Sequence, residues 1–443
     1  MRAEHIVIVL LPLLAVSAAG AGETSPAYEV FALPLEHPDD GPRSVVFDPA
    51  DPVASPFGWH DVDGAPGPEF FIPRGNNVHA FGDRDGDDLP DPGSEPMSPT
   101  LEFTGALVPL DLTLDPAAYL PASVVNLFYW TNVFHDVFHL YGFDEAAGNF
   151  QVNNYGAGGA GGDAVRAEAQ DGADLGAVIG GFFTTPPDGG VPRMLSRVWN
   201  LTEPHRDGVL ESMLMAHLLG HGVTARLTGG RLNVSCLANE ESMTEGWSDW
   251  FGLVLTASPA DGPATPRGIG TYVLGQPPDG GGFRPAPYTT DLEVNGFTYD
   301  DVAAADTFTI GFVWASMLWD ATWNLIADHG FNPDVYDPWT SGGNNLALQL
   351  VVDALKLQPC NPGFVDARDA VLLADEILTG GLNRCALWRA FARRGLGVSA
   401  SQGSPHSTAD GVEAFDLPDS CAGLIFADGF ESGDTSAWSA AAP

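Results

Sequence analysis

The spacing of apolar positions along this chain changes once. From about residue 23 to 110 they come in short runs, such as SVVF (44–47) and LEFTGALVPL (101–110), between Pro, Gly and Asp. Short runs bounded by turn residues predict strands in a loop-rich β region. From Pro121 the period becomes helical. In PASVVNLFYWTNVFHDVFHLYGF, residues Val125, Phe128, Val133, Val137 and Leu140 share one broad face. NNYGAGGAGGD (153–163) is too permissive for a helix, and strand-like pieces follow as far as RVWN (197–200). A helix is expected from Asp207 to Thr228, stopped by Gly229 and Gly230. A second starts near Asn239 and carries SMTEGWSDWFGLVL. FVWASMLWDATWNLIADHG (312–330), NNLALQLVVDALKL (344–357), ARDAVLLADEIL and CALWRAFARRG make the rest mainly helical. A β-rich part followed by a helical one argues an α+β fold of two lobes, about 22–205 and 206–417. A ligand cleft is expected between them. Residues 418–443 read as a C-terminal tail.

Composition narrows the class. Of 443 residues, 44% are hydrophobic and 17% charged, which is globular rather than disordered. The net charge is −40 and Lys356 is the only lysine. Such a surface repels nucleic acid and anionic membranes, so neither is an expected partner. Arg2 precedes the apolar run IVIVLLPLLAV (6–16), and Ala19-Gly20-Ala21 offers a cleavage site. Residues 1–21 therefore read as a signal peptide of a secreted protein. Four cysteines in an exported chain favour two disulfides. Sequence proximity favours Cys360 with Cys385, leaving Cys236 with Cys421.

Two histidine pairs stand four apart: His217 with His221, and His135 with His139. On a helix that spacing puts both imidazoles on one face, as zinc ligation requires. With 11 histidines, chance alone gives roughly 0.3 such pairs, so spacing alone is weak. Downstream partners separate the two. MTEGWSD offers Glu245 as a third ligand and Asp249 to fix the tautomer of a ligand histidine. The other pair has only Asp144 and Glu145, in an apparent loop. In DRDGDD, Asp83, Asp85 and Asp87 are candidate calcium ligands. No bidentate glutamate sits at the EF-hand offset, which favours a solvated acidic turn.

A longer series of segments resembles a known family. YEVFALPLEHP, DPADPVASPFGWH, RGNNVHAFGDRDGD, NLFYWTNVFHD, TTPPDG, GHG with RLTGG, TEGWSDWF and VWASMLW occur in order from about Tyr28 to Asp416. The chain resembles the fungalysins, secreted thermolysin-like zinc metalloendopeptidases. The resemblance implies a two-lobed metallopeptidase fold with zinc between the lobes, held by His217, His221 and Glu245. It also implies that His135 and His139 are buried structural histidines.

The sequence departs from that family where the chemistry lies. The family reads H-E-Y-x-H, and the glutamate moves a proton from the attacking water to the leaving amine. Here that position is Leu218. The family's H-x-x-G-E-V-W is F-T-I-G-F-V-W, with Phe308 for the histidine and Phe312 for the glutamate. Its N-A-N-F edge segment aligns with Gly180, Gly181, Phe182 and Phe183. Fungalysins carry a long propeptide, yet few residues separate the cleavage site from Tyr28, which agrees with inactivity. Three readings stay open. The leading one is a zinc-binding homologue with weak or no peptidase activity. The second is an active endopeptidase using an unorthodox base, with Glu241 one helical turn before Glu245. The third is an extracellular module that binds a peptide or protein in the interlobe cleft.

Overall fold

Nine strands and seven α-helices follow one another in the computed structural model, which describes residues 25–422. The expected signal peptide lies outside the described residues, as does most of the tail. Strands β1 (Ala27–Val30), β2 (Ser44–Phe47), β3 (Val78–Gly82) and β4 (Glu102–Phe103) precede helix α1 (Leu120–Leu140). Strands β5 (Val165–Ala169), β6 (Gly181–Thr184), β7 (Arg193–Ser196), β8 (Val198–Trp199) and β9 (Arg206–Asp207) follow it. Of the apolar run 101–110, only Glu102–Phe103 pairs. Gly105 takes a left-handed φ of 57° and opens a 3₁₀ turn instead.

The sheets order as β2-β1-β4 and β3-β5-β7-β6, with β8 and β9 as a separate ribbon. In the larger sheet β3, β5 and β7 run parallel, and β6 closes it as an antiparallel edge. Helix α1 packs against β1, β3 and β5 on one side and against later helices on the other. Every residue from Ala122 to Phe138 is therefore buried, and not only the broad face read from periodicity. Several of its buried polar side chains pair within the fold. Asp136 accepts from Trp59 Nε1 at 2.8 Å and Ser55 Oγ at 2.6 Å. His135 Nδ1 lies 2.9 Å from Asp136, and His139 Nε2 lies 3.2 Å from Glu145. This pair is structural.

The second lobe holds α2 (Ser212–Leu227), α3 (Thr244–Leu255), α4 (Thr307–His329), α5 (Gly343–Leu357), α6 (Phe364–Thr379) and α7 (Arg384–Arg393). Glycines let the site helices touch. A Cβ on Gly220 of α2 would lie 2.9 Å from Ser248 Cα of α3, and one on Gly246 of α3 would lie 2.2 Å from Gly311 O of α4.

Two sequence expectations fail here. Helix α3 starts at Thr244 and not near Asn239. The preceding loop is held in turns by Asn361 N–H on Cys236 O at 2.7 Å and Glu241 N–H on Pro405 O at 3.1 Å. The disulfides are Cys236–Cys360 and Cys385–Cys421, with Cα atoms 4.5 and 5.1 Å apart. Proximity in sequence misled because α6 separates Cys360 from Cys385. Cys360 meets the loop before α3, whereas Cys385 opens α7 where the chain returns at Cys421.

Candidate metal centre

His217 and His221 lie one turn apart on α2, facing α3. Their Nε2 atoms are 3.1 Å apart. Glu245, in the first turn of α3, brings its two oxygens to 3.6 Å from His217 Nε2 and 3.5 Å from His221 Nε2. One ligand atom from each residue falls within a 4.8 Å cluster. Donors about 2.1 Å from a tetrahedral zinc stand roughly 3.4 Å from each other, so these separations suit such an ion.

Proton placement points the same way. His217 Nδ1 is 2.7 Å from Asp249 Oδ1. Donation to a carboxylate fixes the proton on Nδ1 and leaves Nε2 as a bare lone pair. His221 Nδ1 lies 3.1 Å from Thr244 Oγ1 and 3.3 Å from Ser248 Oγ, which holds that ring the same way. Burial, then the neighbouring His217, keeps His221 neutral by bringing its pKa down to about 4. Two lone pairs and a carboxylate converging on one point repel each other unless a cation sits between them.

Asp249 is itself clamped. It accepts from Arg284 Nε at 2.6 Å and Nη2 at 2.8 Å, and from the Tyr288 hydroxyl. Burial alone would raise the Asp249 carboxyl. Arg284 and His217 outweigh it and hold the group well below the usual carboxylate range. Arg284 also donates to Glu245 Oε2 at 3.0 Å. Neither Arg284 nor Tyr288 carries a sequence signal. Both come from a loop, GGFRPAPY, that carries no periodicity and no motif.

A cleft of about 480 Å³ opens over the ligands, lined by β6, by α2 and by the loop before α3. A second hollow of about 270 Å³ continues past His217 to Trp199, Leu214, Phe283 and Arg284. Leu218 borders both and is 3% exposed. Its Cδ1 lies 3.1 Å from where a Cβ on Gly181 would stand, so it seals α2 against the edge strand. Phe308, 54% exposed, sits at the start of α4 with the Arg284 guanidinium 5.2 Å from its ring centre. Phe312 is buried, with ring centres 4.9 Å from Tyr288 and 5.2 Å from Phe297. Phe182 is exposed on β6, and Phe183 packs on Phe150 at 5.6 Å. These apolar side chains are thus at the cleft or directly behind it.

The structure does not bring Glu241 to the ligands. With α3 starting later than expected, Glu241 is not on the Glu245 face. It is buried, accepts from the Tyr299 hydroxyl at 2.9 Å, and lies against Gly363 at the start of α6. Burial pushes its carboxyl up to about 7, but no cleft wall includes it. In DRDGDD, both Asp83 oxygens accept backbone N–H groups, from Asp87 and Asp88, each at 3.0 Å. Asp83 and Asp85 approach Asp91, whereas Asp87 caps Leu89 N–H at 2.9 Å and is not in that group. Arg193 balances the adjoining Asp88 and Glu168, at 2.5 and 2.6 Å.

A family model described as fungalysin metallopeptidase (M36) matches residues 27–400. The chain belongs to the fungalysin family. Similar proteins include "Extracellular metalloproteinase MEP" of Neosartorya fischeri, 41% identical over 384 residues, covering 85% of this chain and 59% of the relative. The protein of the same name from Leptosphaeria maculans is 40% identical over 405 residues, covering 88% and 61%. "Extracellular metalloproteinase 2" of Trichophyton tonsurans is 38% identical over 403 residues, covering 89% and 61%. The chain thus spans about three fifths of the length of these relatives.

Proposed function

We propose that this fungalysin-family chain is exported, binds zinc through His217, His221 and Glu245, and hydrolyses peptides weakly or not at all. The observation that carries this reading is the cleft lining. Among the described residues, Glu245 is the only carboxylate that borders it, and the two histidines are already oriented as ligands. When bound, the ion supplies a Lewis acid that polarises a carbonyl and acidifies water. Nothing else in the lining takes a proton from an attacking water and returns it to a leaving amine. Leu218 has no ionisable group, and Phe308 has no donor for a developing oxyanion.

The residues present serve binding. The outer edge of β6 offers unpaired backbone groups to an extended peptide, and the walls around Leu218, Phe182 and Phe308 are apolar. We infer that the ligand is a peptide or protein segment lying in this interlobe cleft. The names of the relatives, extracellular metalloproteinases, support export and metal binding.

The test is metal content and casein cleavage by the purified chain, each with and without chelator. About one zinc per chain with negligible cleavage is expected. Chelator-sensitive cleavage at the pace of an intact fungalysin would overturn the loss of activity, and a chain that takes up no zinc would overturn the metal.

A further inference from the structure

A second acidic constellation lies in the first lobe, in the stretch DVDGAPGPE (61–69). One oxygen from each of Asp61, Asp63 and Glu69 falls within a 4.8 Å cluster. Each carboxylate also anchors one of its oxygens in the loop's own backbone. Asp61 Oδ1 accepts from Gly64 N–H at 2.8 Å, Asp63 Oδ1 from Ala65 N–H at 2.7 Å, and Glu69 Oε2 from Val62 N–H at 2.6 Å. The decisive atom is Asp61 Oδ2. Asp61 is 1% exposed, and this buried oxygen has no hydrogen-bond partner. A carboxylate oxygen buried without a partner is costly, and here it belongs to a residue that clusters with two further carboxylates.

Ion pairs compensate two of the other acidic clusters, and in the third, of Asp83, Asp85 and Asp91, both Asp83 oxygens accept backbone N–H groups. Glu168 and Asp88 are paired with Arg193, and Glu36 with Arg267. Among the described residues, no ion pair includes Asp61, Asp63 or Glu69. Burial, with repulsion from Glu69 and Asp63, raises the Asp61 carboxyl above its ordinary range, although Gly64 N–H and the Tyr155 hydroxyl oppose this.

We propose that Asp61, Asp63 and Glu69 form a binding site for a calcium-class divalent cation. An all-oxygen set with three negative charges and no imidazole suits a hard ion, with water filling the open positions. The site lies where two loops meet. Tyr155 donates to Asp61 Oδ1 at 3.2 Å, and Asn153 Nδ2 donates to Val62 O at 3.0 Å. The ion pins the glycine-rich stretch 153–163 to the loop 61–69.

Terbium is the probe, because Tyr155 beside the site sensitises its emission. The full chain is first saturated with zinc, then titrated with terbium and chased with calcium. One saturable, calcium-displaced equivalent is expected, with at least tenfold weaker calcium competition in Asp63→Asn. Asp63 is exposed, so this variant keeps the fold intact, and Asp61→Asn provides the second. The Tm readout reverses sign. Without calcium, Asp63→Asn is at least as stable as the native chain; with calcium, only the native chain gains. Calcium also slows proteolysis within 155–162. The proposal is overturned if native Tm is the same in calcium and in chelator. It is also overturned if both asparagine variants keep native terbium emission and calcium competition, or if Asp85→Asn, and not these, abolishes them.

Discussion

Substituting Leu218→Glu tests the missing base directly. The position is 97% covered, so replacing leucine removes about 1.5–3 kcal/mol of apolar burial. It also puts a carboxylate beside the Gly181 backbone, in the same cleft as Glu245. The variant is expected to be about 2–3 kcal/mol less stable, and more so after chelation, when the two carboxylates share one pocket without a cation. On the rate side, a positioned general base is worth about 10²–10⁴. On the proposed reading Phe308 leaves the oxyanion donor missing, and an absent oxyanion donor costs about 10²–10³. Leu218→Glu alone should therefore raise casein cleavage by about 10²–10⁴ over the native chain. Adding Phe308→His should bring about 10²–10³ more. The assay is initial rate on casein and a quenched peptide, at matched zinc occupancy. Suppose Leu218→Glu folds, holds its zinc and cleaves no faster than the native chain. The absent glutamate is then not what limits hydrolysis, and the argument from the cleft lining fails.

Arg284→Met strands the buried Asp249 carboxylate and should cost about 3–5 kcal/mol in urea unfolding, with the larger loss in zinc-free protein. Glu211, fully buried at the start of α2, has its carboxyl pushed up by burial to about 8 from 4.5. Its contribution is whole below pH 4.5 and is lost as pH rises through 8, so Glu211→Gln should flatten the fall of Tm between pH 5 and 9. An unchanged slope would mean that Glu211 does not titrate with folding. Cys236–Cys360 closes 124 residues and Cys385–Cys421 closes 36, so chain entropy gives about 5 and about 4 kcal/mol. Denaturant titration of Cys360→Ser and Cys385→Ser should show the first as the larger loss.

What was legible in the sequence follows from how far each feature reaches along the chain. Helical period and glycine stops gave α2 within a few residues, because those signals lie inside the helix. The convergence of His217, His221 and Glu245 was readable for the same reason, since the spacing lies within one turn of α2 and Glu245 opens α3. The start of α3 was not, because a disulfide and bonds to residues near 361 and 405 decide it. That error carried Glu241 onto a face it does not share. Arg284 and Tyr288 were unreadable because their role exists only once their loop folds over α3. The burial of α1 on all sides exceeded the single face its period indicated, since both a sheet and helices cover it.

On the proposed reading, the geometry of α2 lets one substitution separate metal binding from hydrolysis. Successive helical residues are about 100° apart, so residues 217 and 221 share the face toward α3 while residue 218 turns toward β6. The ligand shell depends on the α2–α3 crossing and on Asp249, which Arg284 and Tyr288 hold from behind. None of these contacts passes through Leu218, whose neighbour is the Gly181 backbone. An apolar side chain there improves the seal against β6 and leaves the lone pairs of His217 and His221 aimed at one point. Stability lost on chelation therefore reports the face toward α3, and cleavage rate reports the face toward β6. A variant at 218 should change the second by orders of magnitude while zinc still binds, whereas one at 249 should change both.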